Sequence, residues 1–276
     1  MFLLFTLIII ISTGVGYLLN VGKKSIPQVS GETDLPGLTN PIEISRDNYS
    51  IAHIQGTDIK DLSRAMGYTH AQDRYFQMEL MRRLGSGQLA EIFGAEAISH
   101  DRLARSLQLA GAAEAEFQRA SSIAQEILNS YAEGVNTYRE QNVKQLPPEF
   151  KILNFVPKQW QATDSLTIGK WFAYILSSNG STELLRGQLI DIVGLESAYL
   201  LTGLAPPGNK IKSQSTTLYP LETTSNVIFR SNVHRGASNA WVIGSTRSSS
   251  GRPLLASDPH LSLTMPSIFY EIILSG

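Results

Sequence analysis

The sequence predicts an α+β protein whose first two-thirds are largely helical and whose last stretch is β. Three observations predict it. Apolar residues recur every three or four positions from Leu62 to Met81, the spacing of one helix face. A run of Pro, Gly, Ser and Thr over 205–237 then interrupts all periodicity. Beyond it, apolar runs of strand length cover 239–244, 253–257 and 267–275.

At 276 residues the chain has room for one or two domains. With 42% hydrophobic and 17% charged residues it is ordinary globular material. A formal net charge of −1 leaves no excess of cations to neutralise phosphates, so no nucleic-acid partner is expected. The absence of cysteine excludes disulfides, a thiol nucleophile and a Cys-based zinc site, but leaves the compartment open.

Residues 1–19 carry no charged side chain and as a helix would span roughly 28 Å, about one bilayer core. Residues 1–22 are therefore a candidate membrane anchor or signal segment. No Lys or Arg precedes the apolar run and no A-x-A site follows it, while Lys23 and Lys24 pull that end toward the cytoplasm. The expectation is a periplasmic or extracytoplasmic protein, membrane-anchored if the segment is retained. A Pro/Gly-rich linker covers 23–40. Ile42-Glu43-Ile44 and Ile51-Ala52-His53-Ile54 read as a hairpin.

Asp58 is the expected N-cap of a helix to about Leu84, broken by Gly85-Ser86-Gly87. Its polar set is dense. Arg82 and Arg83 are expected to be solvated or ion-paired, and His70, with Arg74 four residues on, lacks a metal-ligand partner and reads as structural. A short segment 88–93 ends at Gly94. Helical patterns follow over 107–119 and 121–142, the second capped by Ser121 or Ser122, and Pro147-Pro148 closes the region. Asp164 is an N-cap candidate for a helix to about Leu176. After Ser177-Ser178-Asn179-Gly180-Ser181 another helix runs from Thr182 through Val193. No internal repeat is present. The last strand ends at the terminus with no closing element, so the chain is expected to be a fragment.

Ser238 lies in Gly236-Ala237-Ser238-Asn239-Ala240-Trp241-Val242-Ile243-Gly244. A nucleophile elbow places its serine between a strand and a helix. Here more strand follows. A serine opening a strand suits a different chemistry, in which the peptide bond before it is cut and the freed α-amine serves as its base.

These stretches together resemble the penicillin acylase family of N-terminal nucleophile hydrolases. The resemblance covers Pro41 to Gly276. It rests on Gly67-Tyr68-Thr69-His70-Ala71-Gln72-Asp73-Arg74-Tyr75-Phe76-Gln77-Met78-Glu79-Leu80, on Leu89-Ala90-Glu91-Ile92-Phe93-Gly94, and on Pro147-Pro148-Glu149-Phe150 with Trp160 and Asp164-Ser165-Leu166. Ser238-Asn239-x-Trp241 and Leu254-Leu255-Ala256-x-Asp258-Pro259-His260-Leu261 complete it. The resemblance implies an αββα sandwich, only partly present here, made from one precursor that cuts itself into α and β chains. On that pattern 41–204 is the α-chain region, 205–237 a spacer removed on maturation, and 238–276 the start of the β chain. Ser50 and Ala52 depart from the pattern, standing where Gly and Pro are usual, and Ser45 stands where a basic residue is usual.

The resemblance implies Ser238 as nucleophile, with no need of a His/Asp pair. A free α-amine titrates at about 7.7–8.0, so at neutral pH a useful fraction accepts the hydroxyl proton. It places His260 beside the nucleophile, orienting the amine or hydroxyl, where penicillin G acylases carry glutamine. It aligns Glu183 with a calcium-binding glutamate, making calcium the expected structural ion, with no organic cofactor. It places Ala173, Leu176 and Ser177 at the acyl pocket, where penicillin G acylases present a methionine, an arginine and a phenylalanine. The substrate implied is a small N-acyl amide, such as a β-lactam side-chain amide or an acyl-homoserine lactone. The family's oxyanion-hole asparagine lies farther along the β chain, so a polypeptide ending at Gly276 is expected to be inert. Two rivals stay open: a conventional serine α/β-hydrolase, and a membrane-anchored, non-catalytic binding module.

Overall fold

The expected hairpin forms: β1 (Glu43–Arg46) pairs antiparallel with β2 (Ala52–Gln55). The structure, a computed structural model, describes residues 5–6, 12–16, 19–20, 22–23, 25–177, 180–202, 237–261 and 263–276. Asp47 shapes the turn by accepting from the backbone N–H groups of Tyr49 (2.8 Å) and Ile51 (3.0 Å). Ser50 there has φ 63°, the left-handed region. Glycine would reach it without cost, whereas serine holds it against a steric penalty.

The described residues form two compact units, one of Met1–Trp171 with Leu263–Gly276 and one of Phe172–Ser262. The first is built on α1 (Ile59–Ser86), whose N-cap Asp58 accepts from the N–H groups of Lys60 and Asp61. The helix runs two residues past the expected end and through Gly85. A Cβ at Gly85 would press on the Thr167 carbonyl, so this glycine serves close helix packing and does not break the helix. Gly87, at φ 68°, terminates it.

A short α2 (Ala90–Phe93) and a 3₁₀ turn (Gly94–Ala97) lead to α3 (Ile98–Ser106), which the sequence did not lead us to expect. The reason is Asp101. It turns inward and accepts from the backbone of Leu89 (2.8 Å) and Ala90 (2.9 Å), spoiling the apolar stripe that would announce a helix. Next come α4 (Leu109–Arg119) and α5 (Ser122–Gln141), the latter capped by Ser121. Pro148 opens a short α6 (Pro148–Ile152) at the position where proline costs a helix nothing. In α7 (Ala162–Leu176), Asp164 lies in the first turn and reaches back to the Gln161 N–H (2.7 Å), so it is not the N-cap itself.

The core of this unit lies between α1 and α5. Leu62, Ala65, Tyr68, Ala71 and Tyr75 meet Ala132, Val135 and Tyr138, with Phe150 and Trp160 closing the end. Two glycines make the approach possible: a Cβ at Gly67 would collide with the Tyr131 carbonyl, and one at Gly134 with that of Arg64. The C-terminal β5 (Ile272–Ser275) pairs parallel with β2, giving the order β1-β2-β5. It is shorter than the expected 267–275. The residues before it are held by side chains of α1, since Gln77 donates to the Ser267 carbonyl (3.0 Å) and Tyr270 to Asp73 (2.5 Å).

The second unit holds the end of α7, then α8 (Gly180–Val193) and α9 (Leu195–Leu201). Gly194, at φ 81°, turns the chain between the last two. Buried Arg186 joins them, donating to Thr202 Oγ1 (2.8 Å) and lying 4.9 Å from the Tyr199 ring centroid. β3 (Ala237–Ile243) and β4 (Leu254–His260) form an antiparallel pair. The described residues thus contain one three-stranded and one two-stranded sheet, and no αββα sandwich is assembled among them. Residues 203–236, nearly all of the expected spacer, and most of 1–19 lie outside the described residues. Among the described residues no helix is long and apolar enough to cross a membrane.

Candidate active site

Ser238 is the second residue of β3, exposed, and the strand continues past it to Ile243. Five more residues of strand separate Ser238 from the single 3₁₀ turn at Ser245–Arg247, so the strand–serine–helix turn of an α/β-hydrolase is absent at this serine. In the β3–β4 register Ala237 pairs with His260, Ser238 with Pro259 and Asn239 with Asp258. Because side chains alternate along a strand and register partners share a face, Asn239, Asp258 and His260 fall on one face. Ser238 and Pro259 fall on the other. The register therefore sets His260 beside the Ala237–Ser238 link and its nitrogen, on the face away from the Ser238 hydroxyl.

His260 Nε2 lies 2.6 Å from Asp258 Oδ2 and 3.4 Å from Asn239 Nδ2. The Asp258 and His260 side chains are half exposed, at 50% and 46%. Asp258 Oδ1 is buried and has no hydrogen-bond partner among the described residues. The sequence reasoning missed Asp258 and Asn239 as partners of His260. The available signal was the i, i+2 spacing of Asp258 and His260 directly after the expected strand 253–257, which in the structure runs on to His260.

The other expected site residues lie on other elements. Ala173, Leu176 and Ser177 occupy the C-terminal end of α7, all exposed. Ser177 caps that end, its N–H meeting the Ala173 carbonyl (3.1 Å) and its hydroxyl the Tyr174 carbonyl (3.0 Å). Glu183 lies exposed in the first turn of α8. Among the described residues no three His, Asp or Glu side chains converge. Calcium takes six to eight oxygens, so the described residues by themselves supply too few ligands around Glu183, and the rest of its shell would come from elsewhere in the protein. A cavity of about 420 Å³ opens at the end of the β1-β2-β5 sheet, lined by Pro41, Glu43, Gln55 and Ser275 among others, and by none of the expected site residues.

The polar residues of α1 are taken up by the fold. Glu79, fully buried, pairs with Arg82 Nη2 and with Arg83 Nε (2.7 Å). Arg83 also reaches Glu91 (2.8 Å), and Arg82 reaches Asp164 (3.4 Å). Both arginines are thus ion-paired, as expected. Arg46 forks onto Asp73 at 2.8 and 3.1 Å. Burial alone would depress its guanidinium, but the bonds to Asp73 and Tyr270 outweigh this and raise it. His70 is packed edge-on between Tyr131 and Tyr270, with Nδ1 2.9 Å from the Tyr131 hydroxyl. Burial lowers its pKa to about 4.

The penicillin amidase family model matches residues 41–276, and the chain belongs to that family. It is 31% identical over 263 residues to penicillin acylase 2 proenzyme of Pseudomonas sp. (strain SE83), covering 90% of this chain and 34% of the relative. It is 31% identical over 258 residues to acyl-homoserine lactone acylase QuiP of Pseudomonas aeruginosa, covering 89% of this chain and 30% of that one. The chain spans about a third of the length of these relatives. Among solved structures, a thermostable penicillin G acylase from Alcaligenes faecalis aligns with a TM-score of 0.51 and 25% identity, over 65% of this chain and 98% of that one.

Proposed function

We propose that the protein is a self-processing amide hydrolase that cuts its chain before Ser238 and uses the freed residue as nucleophile to deacylate small N-acyl amides. The observation that carries this reading is the family match over 41–276, with Ser238 at the head of β3 and 205–237 before it. In the reaction the Ser238 hydroxyl attacks the acyl carbonyl while its proton passes to the α-amine of the same residue. The tetrahedral intermediate expels the amine product, which takes that proton, and water then releases the acid by the reverse route. No His/Asp pair is needed for the proton, so Ser238 and His260 can stand on opposite faces of the strand pair.

The reading assigns 41–204 and the segment from Ser238 onward to two mature chains of one precursor. Residues 1–22 serve as anchor or export signal for an extracytoplasmic enzyme. The conventional α/β-hydrolase is disfavoured by the uninterrupted strand after Ser238, and the non-catalytic module by the family match. N-terminal sequencing of the whole protein should find a new chain beginning at Ser238. Ser238→Ala should leave one uncut chain, because the missing hydroxyl is also the group that attacks the Ala237 carbonyl. Two mature chains from the alanine variant would overturn the proposal.

A further inference from the structure

We infer that Asp258 is a positioning residue for His260, fixing the imidazole as the Nε2–H tautomer so that Nδ1 accepts a hydrogen bond from the α-amine of Ser238. The inference rests on the proposed self-processing chemistry and goes beyond it. An ionised carboxylate is an acceptor only, so the nitrogen 2.6 Å from Asp258 Oδ2 must carry the hydrogen. The opposite ring nitrogen of neutral imidazole is then the lone-pair acceptor. Asp258 and His260 are i, i+2 on β4 and share its face, so the contact follows from the pleat and needs no loop to form it.

The register supplies the second half of the argument. The residue paired with His260 is Ala237, the last residue before the proposed cut. Cutting removes Ala237 and leaves the new α-amine of Ser238 at the end of β3, one residue from the register position of His260, while the Asn239 amide stays on the Nε2 side of the ring at 3.4 Å. When that amine takes the hydroxyl proton it becomes an ammonium. An imidazole nitrogen accepting one of its N–H groups, backed by a carboxylate, stabilises the charge as it develops. The buried, unpartnered Oδ1 leaves the same carboxylate a further acceptor on this face. Asp258 touches neither substrate nor the reacting atoms and acts through His260.

Two measurements test this in the whole protein. The first is a double-mutant cycle on kcat and KM. Asp258→Ala should lower kcat by roughly ten- to a hundredfold with KM held within about twofold, and His260→Ala by roughly ten- to a thousandfold. Asp258→Ala added to His260→Ala should cost nothing beyond about twofold, since its only route is the imidazole. Asp258→Asn keeps an acceptor for Nε2–H without the charge and should recover part of the loss. Additive losses would overturn the inference. The second is the imidazole ¹⁵N spectrum of the uncut Ser238→Ala protein, which needs no activity. His260 should be Nε2-protonated both with Asp258 in place and with Asp258→Asn, and should become a tautomer mixture with Asp258→Ala. An Nδ1-protonated ring with Asp258 present would also overturn it. Failure of the self-processing reading shows separately, as activity that survives Ser238→Ala.

Discussion

Acid should destabilise this fold through His70, and the size of the effect follows from its burial. The imidazole sits between Tyr131 and Tyr270, with Nδ1 on the Tyr131 hydroxyl and Nε2 buried without a partner among the described residues. A second proton would put a charge where one ring nitrogen has no acceptor. Desolvation therefore lowers the pKa from 6.5 to about 4, against the attraction of Asp73. For a base whose folded pKa is depressed, the unfolded chain takes the proton first. The stabilisation is complete above about pH 6.5 and is lost as pH falls from there toward 4. Linkage over that window gives a loss of under about 1 kcal/mol at pH 6 and about 2 kcal/mol at pH 5. Other carboxylates titrate there too, so the comparison is with His70→Gln, which shares them. Urea unfolding followed by tryptophan fluorescence at pH 7.5, 6 and 5 should show the wild type losing about 2 kcal/mol more than the variant across the series. A stability gap between the two that stays constant within about 0.5 kcal/mol would refute the reasoning.

Three further outcomes can be checked directly. Glu79→Gln should cost about 3–5 kcal/mol in urea unfolding, because it leaves the buried guanidiniums of Arg82 and Arg83 without the carboxylate they share; a loss under about 1 kcal/mol would show that Asp164 and Glu91 suffice. Gly134→Ala should lose at least about 2 kcal/mol, since its methyl group meets the Arg64 backbone and only separation of α1 from α5 can relieve it. An unchanged unfolding midpoint would contradict that crossing. If Ala173, Leu176 and Ser177 line the acyl pocket, their small or aliphatic side chains should favour longer aliphatic acyl groups by about fourfold per carbon, as a kcat/KM series from C4 to C14 would reveal; a clear preference for phenylacetyl amide would remove them from the pocket.

How much of this was legible in the sequence differs from element to element. The start of α1 was, because Asp58 caps and the apolar spacing are local signals, but its end was not, since Gly85 continues the helix. The helix α3 was not, because Asp101 spends its position on a backbone contact instead of a solvated face. The end of the chain was legible as strand, but not its pairing with β2, which joins Ala52 to Ile272 across nearly the whole sequence. In the site, the strand opened by Ser238 was expected and formed. The partnership of Asp258 with His260 was missed because reading it requires treating the run before His260 as strand, whereas the expected strand stopped at Ser257. Three more residues of strand bring the carboxylate and the imidazole to one face.

The stretch with the densest polar pattern, 67–83, commits its charged side chains chiefly to holding the fold. A charged side chain can act on a ligand only with bonding capacity left over, and burial makes spare capacity costly. In α1 that capacity is used within the protein: Asp73 holds Arg46 and Tyr270, Glu79 holds Arg82 and Arg83, and Arg74 lies over the Tyr270 ring at 5.8 Å. These contacts fix how α1 meets β1 and the C-terminal segment. The β3–β4 pair has the opposite character. Ser238 is exposed, the Asp258 and His260 side chains are half exposed, and their one short contact leaves an imidazole nitrogen and a carboxylate oxygen uncommitted. A side chain that is to hold a neighbouring group in place needs this kind of setting, fixed by one contact and with bonding capacity left over.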